Sequence, residues 1–179
     1  MTHELENDIE RGMYSAEDIR AMVRTLGDRL SRDYAGKKPL LVVILKGSMV
    51  FAADLLRCLT IDCTLDFMVV SSYKGEKSTG EIDVKLDLRE DIRGRDVIIV
   101  EDIIDTGITL SKLKALLESR RPASLKICTL LNKPSRRDKN VTVTADYVGC
   151  VVGNEFIVGY GLDYNEKYRN LPYIGIMKK

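Results

Sequence analysis

The chain has 179 residues, which is enough for a sizeable core and typical of one domain. Its hydrophobic fraction is 45%, its charged fraction 31% and its net charge +1, so the composition does not favour nucleic acid or anionic membrane as a partner. No apolar run approaches the ~20 residues that span a bilayer, and the acidic first residues do not resemble a signal peptide. We therefore expect a soluble globular protein.

The side chains available for chemistry narrow the possible mechanisms. His3 is the only histidine, so serine–histidine–aspartate, cysteine–histidine and histidine–zinc chemistry are excluded. Any general base is expected to be a carboxylate, and any metal a hard cation such as Mg²⁺ held by oxygen. The cysteines have no Cys-x-x-Cys spacing, so we interpret them as buried, reduced thiols of a cytoplasmic protein: Cys58, Cys63, Cys128 and Cys150.

The first part of the chain predicts a helix, a buried strand and a second helix. Apolar residues at helical spacing follow Ser15, a candidate N-cap, and this helix ends near Gly36. The apolar run 40–45 predicts a buried strand, and the next helix reaches about residue 59. Lys46, between the two, is by itself a surface lysine at a turn, but beside a neighbouring strand end it could contact a phosphate.

A long polar segment separates two strands with alternating patterns. Residues 62–70 predict a strand, possibly at a sheet edge, and residues 82–88 are expected to return antiparallel to it. Residues 71–80 between them have two interpretations that the sequence leaves open. They are either a disordered hairpin tip or a mobile lid whose Ser72 and Tyr73 cover a ligand.

The stretch 96–110 is the strongest candidate for a functional site. Four apolar residues, 97–100, predict a buried parallel strand, and Glu101 and Asp102 follow where that strand is expected to leave the core. A small, polar turn of Asp105, Thr106, Gly107 and Thr109 then leads into a helix. A turn of this kind at a helix N-terminus forms an anion site. Such a turn can also simply cap its helix, but the preceding carboxylates favour a function.

The remaining elements continue the same alternation of helices and strands. Leucines from 110 to 117 predict a helix, and residues 125–131 and 147–152 predict two more strands. The first of these strands leads into a basic loop, where Lys133 is the functional candidate and Arg136 and Arg137 are expected to be solvated. The glycines at 159 and 161 lack the third glycine of a dinucleotide fingerprint.

The pattern strand–Glu101-Asp102–x–x–Asp105-Thr106-Gly107–x–Thr109 resembles the diphosphoribosyl-binding signature of type I phosphoribosyltransferases. The resemblance covers nearly the whole chain and is most specific to the family's hypoxanthine-guanine members. It extends to Leu45 through Ser48, Ser72-Tyr73, Ser78 through Gly80, Lys133, and Val158 through Glu166.

The resemblance implies an α/β fold with a central, mostly parallel, twisted sheet flanked by helices. It implies a single domain, 1–179, with a core of about residues 37–150. A small hood would be built from the N-terminal segment and about residues 151–179. It also implies a homo-oligomer, a dimer or a homotetramer.

The implied activity is purine salvage, with Mg²⁺ as cofactor. Phosphoribosyl would pass from 5-phosphoribosyl-1-diphosphate to hypoxanthine or guanine, giving IMP or GMP and diphosphate. The resemblance assigns the 5′-phosphate to Asp105, Thr106, Gly107, Ile108 and Thr109, with Asp105 also catalytic. It assigns the ribose to Glu101 and Asp102, the metal to Glu101, Asp102 and Asp163, and the diphosphate to Lys46, Gly47 and Arg169. It assigns the purine to Lys133, Phe156, Ile157 and Asp163, and it implies a non-proline cis peptide bond after Leu45.

Two other functions are compatible with this scaffold. One is a regulatory protein that binds a nucleotide and controls RNA or DNA, against which the near-neutral charge argues. The other is a phosphoribosyltransferase for a different base.

Overall fold

The fold is described from a computed structural model over residues 4–72 and 82–178. The helices are α1 (Ala16–Asp33), α2 (Met49–Cys58) and α3 (Ile108–Ser119), with short 3₁₀ helices at Glu4–Asp8 and Pro134–Arg136. The strands are β1 (Ile9–Tyr14), β2 (Leu40–Leu45), β3 (Thr64–Ser72), β4 (Ile82–Leu86), β5 (Asp96–Ile104), β6 (Ser124–Asn132), β7 (Tyr147–Val151), β8 (Ile157–Val158) and β9 (Ile174–Met177). No helix in the described residues is long and apolar enough to cross a membrane.

A six-stranded sheet with the order β4-β3-β2-β5-β6-β7 forms the centre of the molecule. Every neighbouring pair is parallel except β3 and β4. The chain leaves β2 toward β3 on one side and leaves β5 toward β6 on the other, so the topology switches between β2 and β5. Ligands of open α/β sheets bind at the carboxyl ends of the strands beside such a switch point.

Both faces of this sheet are covered by apolar side chains from the helices. Leu26 of α1 and Phe51 of α2 belong to the core on one face. Leu113 of α3 belongs to the core on the other face, with Met68 and Ile99 of the sheet. β2, the first part of β5 and most of β6 consist of continuous apolar runs because these parts of the strands are buried on both faces. The α/β fold with a mostly parallel sheet is confirmed.

A second sheet of three antiparallel strands, β1-β9-β8, joins the two ends of the described chain. Its strands have a core of their own, which includes Val158, Tyr168 and Leu171. The division into a core of about 37–150 and a hood stays a prediction, which this small sheet supports. β1 was not predicted, because its middle residues are exposed and its apolar residues do not alternate.

Two predicted details are wrong. β5 does not end at Val100 but continues to Ile104, because it pairs with β6 as far as Asn132, so Glu101 and Asp102 lie within the strand. β3 is not an edge strand, since β4 lies outside it. The side of β3 that carries Leu65 and Phe67 is partly exposed.

Candidate active site

The turn between β5 and α3 carries the predicted phosphate-binding residues. α3 begins at Ile108, and its N-cap is Gly107, whose φ of 78° lies in the left-handed region that favours glycine. Gly107 has no side chain to cap the helix, and the first turn of α3 has no acidic residue. The N–H groups of this turn therefore lie at the positive end of the helix dipole. No acidic side chain in the first turn of α3 neutralises that end.

The side chain of Arg137 supports this turn through two hydrogen bonds. Its Nη1 donates to the carbonyl oxygen of Asp105 at 3.0 Å, and its Nη2 donates to Asn132 Oδ1 at 2.6 Å. A Cβ on Gly107 would lie 2.7 Å from Arg137 Nη1, so the turn and the guanidinium are in close contact. The prediction that Arg137 is solvated is wrong, because these contacts make it half-buried, whereas Arg136 is exposed as expected.

Two adjacent carboxylates precede the turn in an environment that opposes their ionisation. Burial, together with the charge of Asp102, raises the pKa of Glu101 well above its usual value. Burial also raises the pKa of Asp102 to about 6, although the N–H of Ile103 donates to Asp102 Oδ1 at 2.7 Å. Oε2 of Glu101 is buried and has no hydrogen-bond partner within the described residues.

The loop after β2 lies directly against these carboxylates. The peptide bond between Leu45 and Lys46 is cis, as the resemblance implied. A Cβ on Gly47 would overlap Oδ2 of Asp102, and a Cβ on Gly161 would overlap the carbonyl oxygen of Gly47. Gly47 therefore fills a space that admits no side chain, between β5 and the C-terminal segment.

An ion-pair network joins this loop to the C-terminal segment. Arg169 Nη2 lies 2.8 Å from Asp163 Oδ1 and 3.6 Å from Glu166 Oε1, and Lys46 Nζ lies 3.0 Å from Glu166 Oε2. Arg169 Nη1 also donates to the carbonyl oxygen of Gly161 at 2.8 Å. Three of the predicted residues, Lys46, Asp163 and Arg169, are thus brought together.

Lys133 and Phe156 lie at the other end of the site. Lys133 is 7% exposed, and its Nζ donates to the carbonyl oxygen of Glu155 at 2.7 Å. Burial lowers the pKa of Lys133 from its ordinary value. The ring of Phe156 is 54% exposed and meets Tyr164 edge-to-face, with centroids 5.4 Å apart. An apolar ring thus lies beside a buried ammonium.

A cavity of about 250 Å³ connects the two ends of the site. Its lining includes six predicted residues together with Ile103 and Leu162: Asp102, Asp105, Lys133, Phe156, Ile157 and Asp163. Glu101, Lys46 and Arg169 do not line it. A broader groove of about 810 Å³ adjoins it and shares Phe156.

Most of the predicted lid lies outside the described residues. Ser72 is the last residue of β3, while Tyr73 lies outside the described residues. That lid therefore stays a prediction.

Sequence reasoning missed Arg137 and gave no role to Glu166 or Gly161. The position of Arg137 in a basic loop just after a strand end was the only available signal, and it does not distinguish Arg137 from Arg136. The roles of Glu166 and Gly161 depend on contacts with Lys46 and Gly47, more than 110 residues away along the chain.

A model of the phosphoribosyl transferase domain matches residues 13–165. The chain belongs to the phosphoribosyl transferase family. It is 51% identical to the hypoxanthine-guanine phosphoribosyltransferase of Streptococcus pneumoniae, across 98% of this chain and 97% of that protein.

Two crystal structures of phosphoribosyltransferases share its fold. One is a hypoxanthine phosphoribosyltransferase from Staphylococcus aureus, with a TM-score of 0.94, 47% identity and coverage of 99% of this chain and 96% of that one. The other is a hypoxanthine-guanine phosphoribosyltransferase from Bacillus anthracis, with a TM-score of 0.88, 44% identity and coverage of 96% and 99%. The predicted family and its fold are confirmed.

Proposed function

We infer that this phosphoribosyltransferase acts in purine salvage and transfers 5-phosphoribosyl from 5-phosphoribosyl-1-diphosphate to hypoxanthine or guanine. The products are IMP or GMP and diphosphate. The observation that carries this inference is the cavity in which Lys133, a buried donor, and Phe156, an apolar ring, share a wall with Asp102 and Asp105 at the phosphate turn. A base site and a sugar-phosphate site are adjacent there.

The turn from Asp105 to Thr109 is proposed to hold the 5′-phosphate. Its backbone N–H groups and two threonine hydroxyls are donors at a helix N-terminus, which is the arrangement that binds phosphate. Arg137 holds the carbonyl of Asp105 and so fixes the backbone from which these donors project.

Glu101 and Asp102 are proposed to accept hydrogen bonds from the ribose hydroxyls. Lys46, Gly47 and Arg169 are proposed to contact the diphosphate. As the diphosphate leaves, the ribose gains positive charge, and the carboxylates of Glu101 and Asp102 stabilise that charge. Since Asp102 stays partly protonated near pH 6, the free enzyme does not carry the full repulsion between these acids.

Mg²⁺ is proposed as the cofactor, and the residues present fit it in part. Oε2 of Glu101 is a buried oxygen that has no partner in the described part of the chain, and the charge of Asp163 contributes to the raised pKa of Asp102, so a cation would relieve both. In the described residues no three acidic, cysteine or histidine side chains are close enough to hold a metal alone. Asp102, Asp163 and Glu101 would therefore share Mg²⁺ with substrate oxygens and water, as is usual for this ion. When bound, Mg²⁺ neutralises charge on the departing diphosphate.

The purine is proposed to stack on Phe156. Its edge is proposed to be recognised by Lys133 and by backbone groups of Ile157 and Asp163. An ammonium only donates hydrogen bonds, so Lys133 suits a 6-oxo oxygen and meets only donors in a 6-amino group. Its buried position makes a mismatched partner costly. Asp105, which also lines the cavity, is proposed to hold or take the N7 proton.

A direct assay tests this function. The protein is incubated with 5-phosphoribosyl-1-diphosphate, Mg²⁺ and hypoxanthine, guanine, xanthine or adenine, and nucleotide formation is followed for each base. Conversion of 6-oxopurines with little or none of adenine is expected. Failure to convert any 6-oxopurine would refute the proposal, and conversion of adenine alone would reassign the base.

A cytoplasmic homo-oligomer is the proposed form of the enzyme. The four cysteines are free thiols, the state that reducing compartments maintain. Leu65, Phe67 and Leu86 on the neighbouring strands β3 and β4 are each at least one third exposed, and the pairing of Val69 with Leu86 places them on one face of the sheet. This apolar face is proposed to be covered by a second copy of the chain.

A further inference from the structure

An aromatic pair lies beside the purine end of the candidate active site. The ring of Phe156 lines both the base cavity and the adjoining groove of about 810 Å³, whereas Tyr164 lines the groove and not the base cavity. The two rings are nearly perpendicular, at 83°, and their centroids are 5.4 Å apart. Tyr164 therefore contacts the proposed stacking ring without lining the cavity that would hold the base.

The backbone around Phe156 is anchored, but its ring is open to solvent. The carbonyl oxygen of Phe156 accepts a hydrogen bond from Met177 N at 3.0 Å, and the carbonyl oxygen of Glu155 accepts one from Lys133 Nζ at 2.7 Å. Phe156 is nevertheless 54% exposed, so much of its ring surface has no packing against the chain. An unsupported ring at this position would have to be ordered by the purine as it binds, at a cost in conformational entropy.

Tyr164 begins a tight turn with defined geometry. Tyr164 N donates to the carbonyl oxygen of Lys167 at 3.2 Å, and Lys167 N donates to the carbonyl oxygen of Tyr164 at 3.1 Å. This is the pairing of a two-residue hairpin loop. The central residues, Asn165 and Glu166, have φ values of 52° and 63°, the positive values that a type I′ turn requires.

The same turn is tied to the rest of the site through Glu166. Glu166 N donates to Asp163 Oδ2 at 2.9 Å, and Glu166 Oε2 lies 3.0 Å from Lys46 Nζ. Glu166 Oε1 lies 3.6 Å from Arg169 Nη2. The backbone that carries Tyr164 is thus constrained, although the residue itself is 47% exposed.

We propose that Tyr164 is a positioning residue for the purine: its ring holds Phe156 in the orientation that stacks on the base. This role rests on the proposed function, in which Phe156 stacks on the purine. Perpendicular rings at this distance are a favoured aromatic arrangement, and a Phe156 ring already held in place lowers the ordering cost of base binding. Stacking does not depend on the substituents of the purine edge, so Tyr164 serves hypoxanthine and guanine alike.

The variants that test this role change the ring of Tyr164 in steps. Y164A removes the ring, and Y164F keeps it and removes only the hydroxyl. K167A is the matched control, because Lys167 is exposed in the same turn and its hydrogen bonds with Tyr164 are made by its backbone. The melting temperature of each variant shows whether the fold is retained. If Y164A does not fold, Y164L keeps apolar bulk without the ring and takes its place.

Y164A should raise the KM for hypoxanthine and for guanine by about three- to tenfold, the worth of one aromatic pair in an equilibrium constant. The affinity for IMP, measured by calorimetry, should fall by the same factor because IMP carries the same base. Turnover should change by less than about twofold, as expected when an interaction supports binding rather than the chemical step. Y164F and K167A should resemble the wild type in all three measurements.

A double-mutant cycle separates action through Phe156 from direct contact with the base. F156L replaces the stacking ring by an apolar side chain and should itself raise the KM for both bases. In that background Y164A should have little further effect, because no ring is left to position. If Y164A costs the same factor in both backgrounds, Tyr164 acts independently of Phe156 and the positioning role is wrong.

Two further results would overturn the proposal. One is an unchanged KM for both bases and an unchanged IMP affinity in Y164A. The other is an equal loss in Y164A and K167A, which would assign the effect to the turn rather than to the ring. Either result in an enzyme that converts 6-oxopurines leaves the proposed function intact. A protein that converts no 6-oxopurine and binds no IMP would instead overturn the proposed function together with this role.

Discussion

The side chain of Asp105 connects the phosphate turn to the base cavity. Asp105→Asn keeps the size and most hydrogen bonds of the side chain but removes the proton acceptor. We expect turnover to fall by about 10²- to 10⁴-fold, the usual contribution of a general base, with a much smaller loss of IMP affinity. Steady-state kinetics and IMP titration of the variant measure the two effects. Equal losses in both would remove the acid–base role.

Lys133 is proposed to choose the base. Lys133→Ala should raise the KM for hypoxanthine and guanine by about ten- to a hundredfold, the value of a charge-assisted hydrogen bond, with a smaller change in turnover. Lys139→Ala, in the same loop but exposed, is the control. An unchanged KM for both bases would argue against recognition of the 6-oxo group.

Asp102 gives the substrate affinity a pH dependence. Its pKa is raised by burial to about 6, so it is mostly protonated below that pH and mostly ionised above it. Because the ionised form is the better acceptor for ribose hydroxyls, the KM for 5-phosphoribosyl-1-diphosphate should fall as the pH rises through 6. Below that pKa the KM should rise by up to about tenfold per pH unit. The Asp102→Asn variant should bind 5-phosphoribosyl-1-diphosphate weakly and with little dependence on pH. If its pH profile were identical to that of the wild type, Asp102 would be excluded as the titrating group.

Among the elements, the loop after β6 supports the phosphate turn. Arg137→Ala removes the donors to Asp105 and Asn132, so the turn loses its fixed backbone. We expect the free energy of unfolding to fall by about 1–3 kcal/mol and the KM for the diphosphate substrate to rise. Arg136→Ala removes only the exposed ion pair with Asp105 and should lower the free energy of unfolding by less than ~1 kcal/mol. Chemical denaturation of both variants, and kinetics of Arg137→Ala, check these expectations.

The elements that sequence alone predicted are those whose signal is local. Continuous apolar runs predicted β2, the first part of β5 and most of β6, and Ser15 is the N-cap of α1, with a capping box in which Asp18 N donates to Ser15 Oγ at 3.1 Å. β1 was missed because its middle residues are exposed and its partner β9 lies at the other end of the chain, and β8 was missed because it has only two residues. The same distinction explains why the phosphate turn was found while the contacts of Arg137, Glu166 and Gly161 were not.

At the scale of the whole molecule, the apolar face of β3 and β4 should determine the oligomeric state. Phe67→Asp places a charge within it and should shift the protein toward smaller species, because a symmetric interface repeats each substitution. Val151→Asp alters an exposed apolar residue on β7, at the opposite edge of the sheet, and should leave the assembly unchanged. Sedimentation over a range of concentrations distinguishes the two. Equal masses for the two variants and the wild type would place the interface elsewhere.

The small sheet has a consequence for synthesis of the chain. β9 is its middle strand, so β1 and β8 have no partner in it until residues 174–177 have been made. β8 begins at Ile157, which lines the base cavity, whereas the phosphate turn belongs to strands completed much earlier. On the ribosome, the half of the site that holds the sugar phosphate can therefore form before the half that holds the purine.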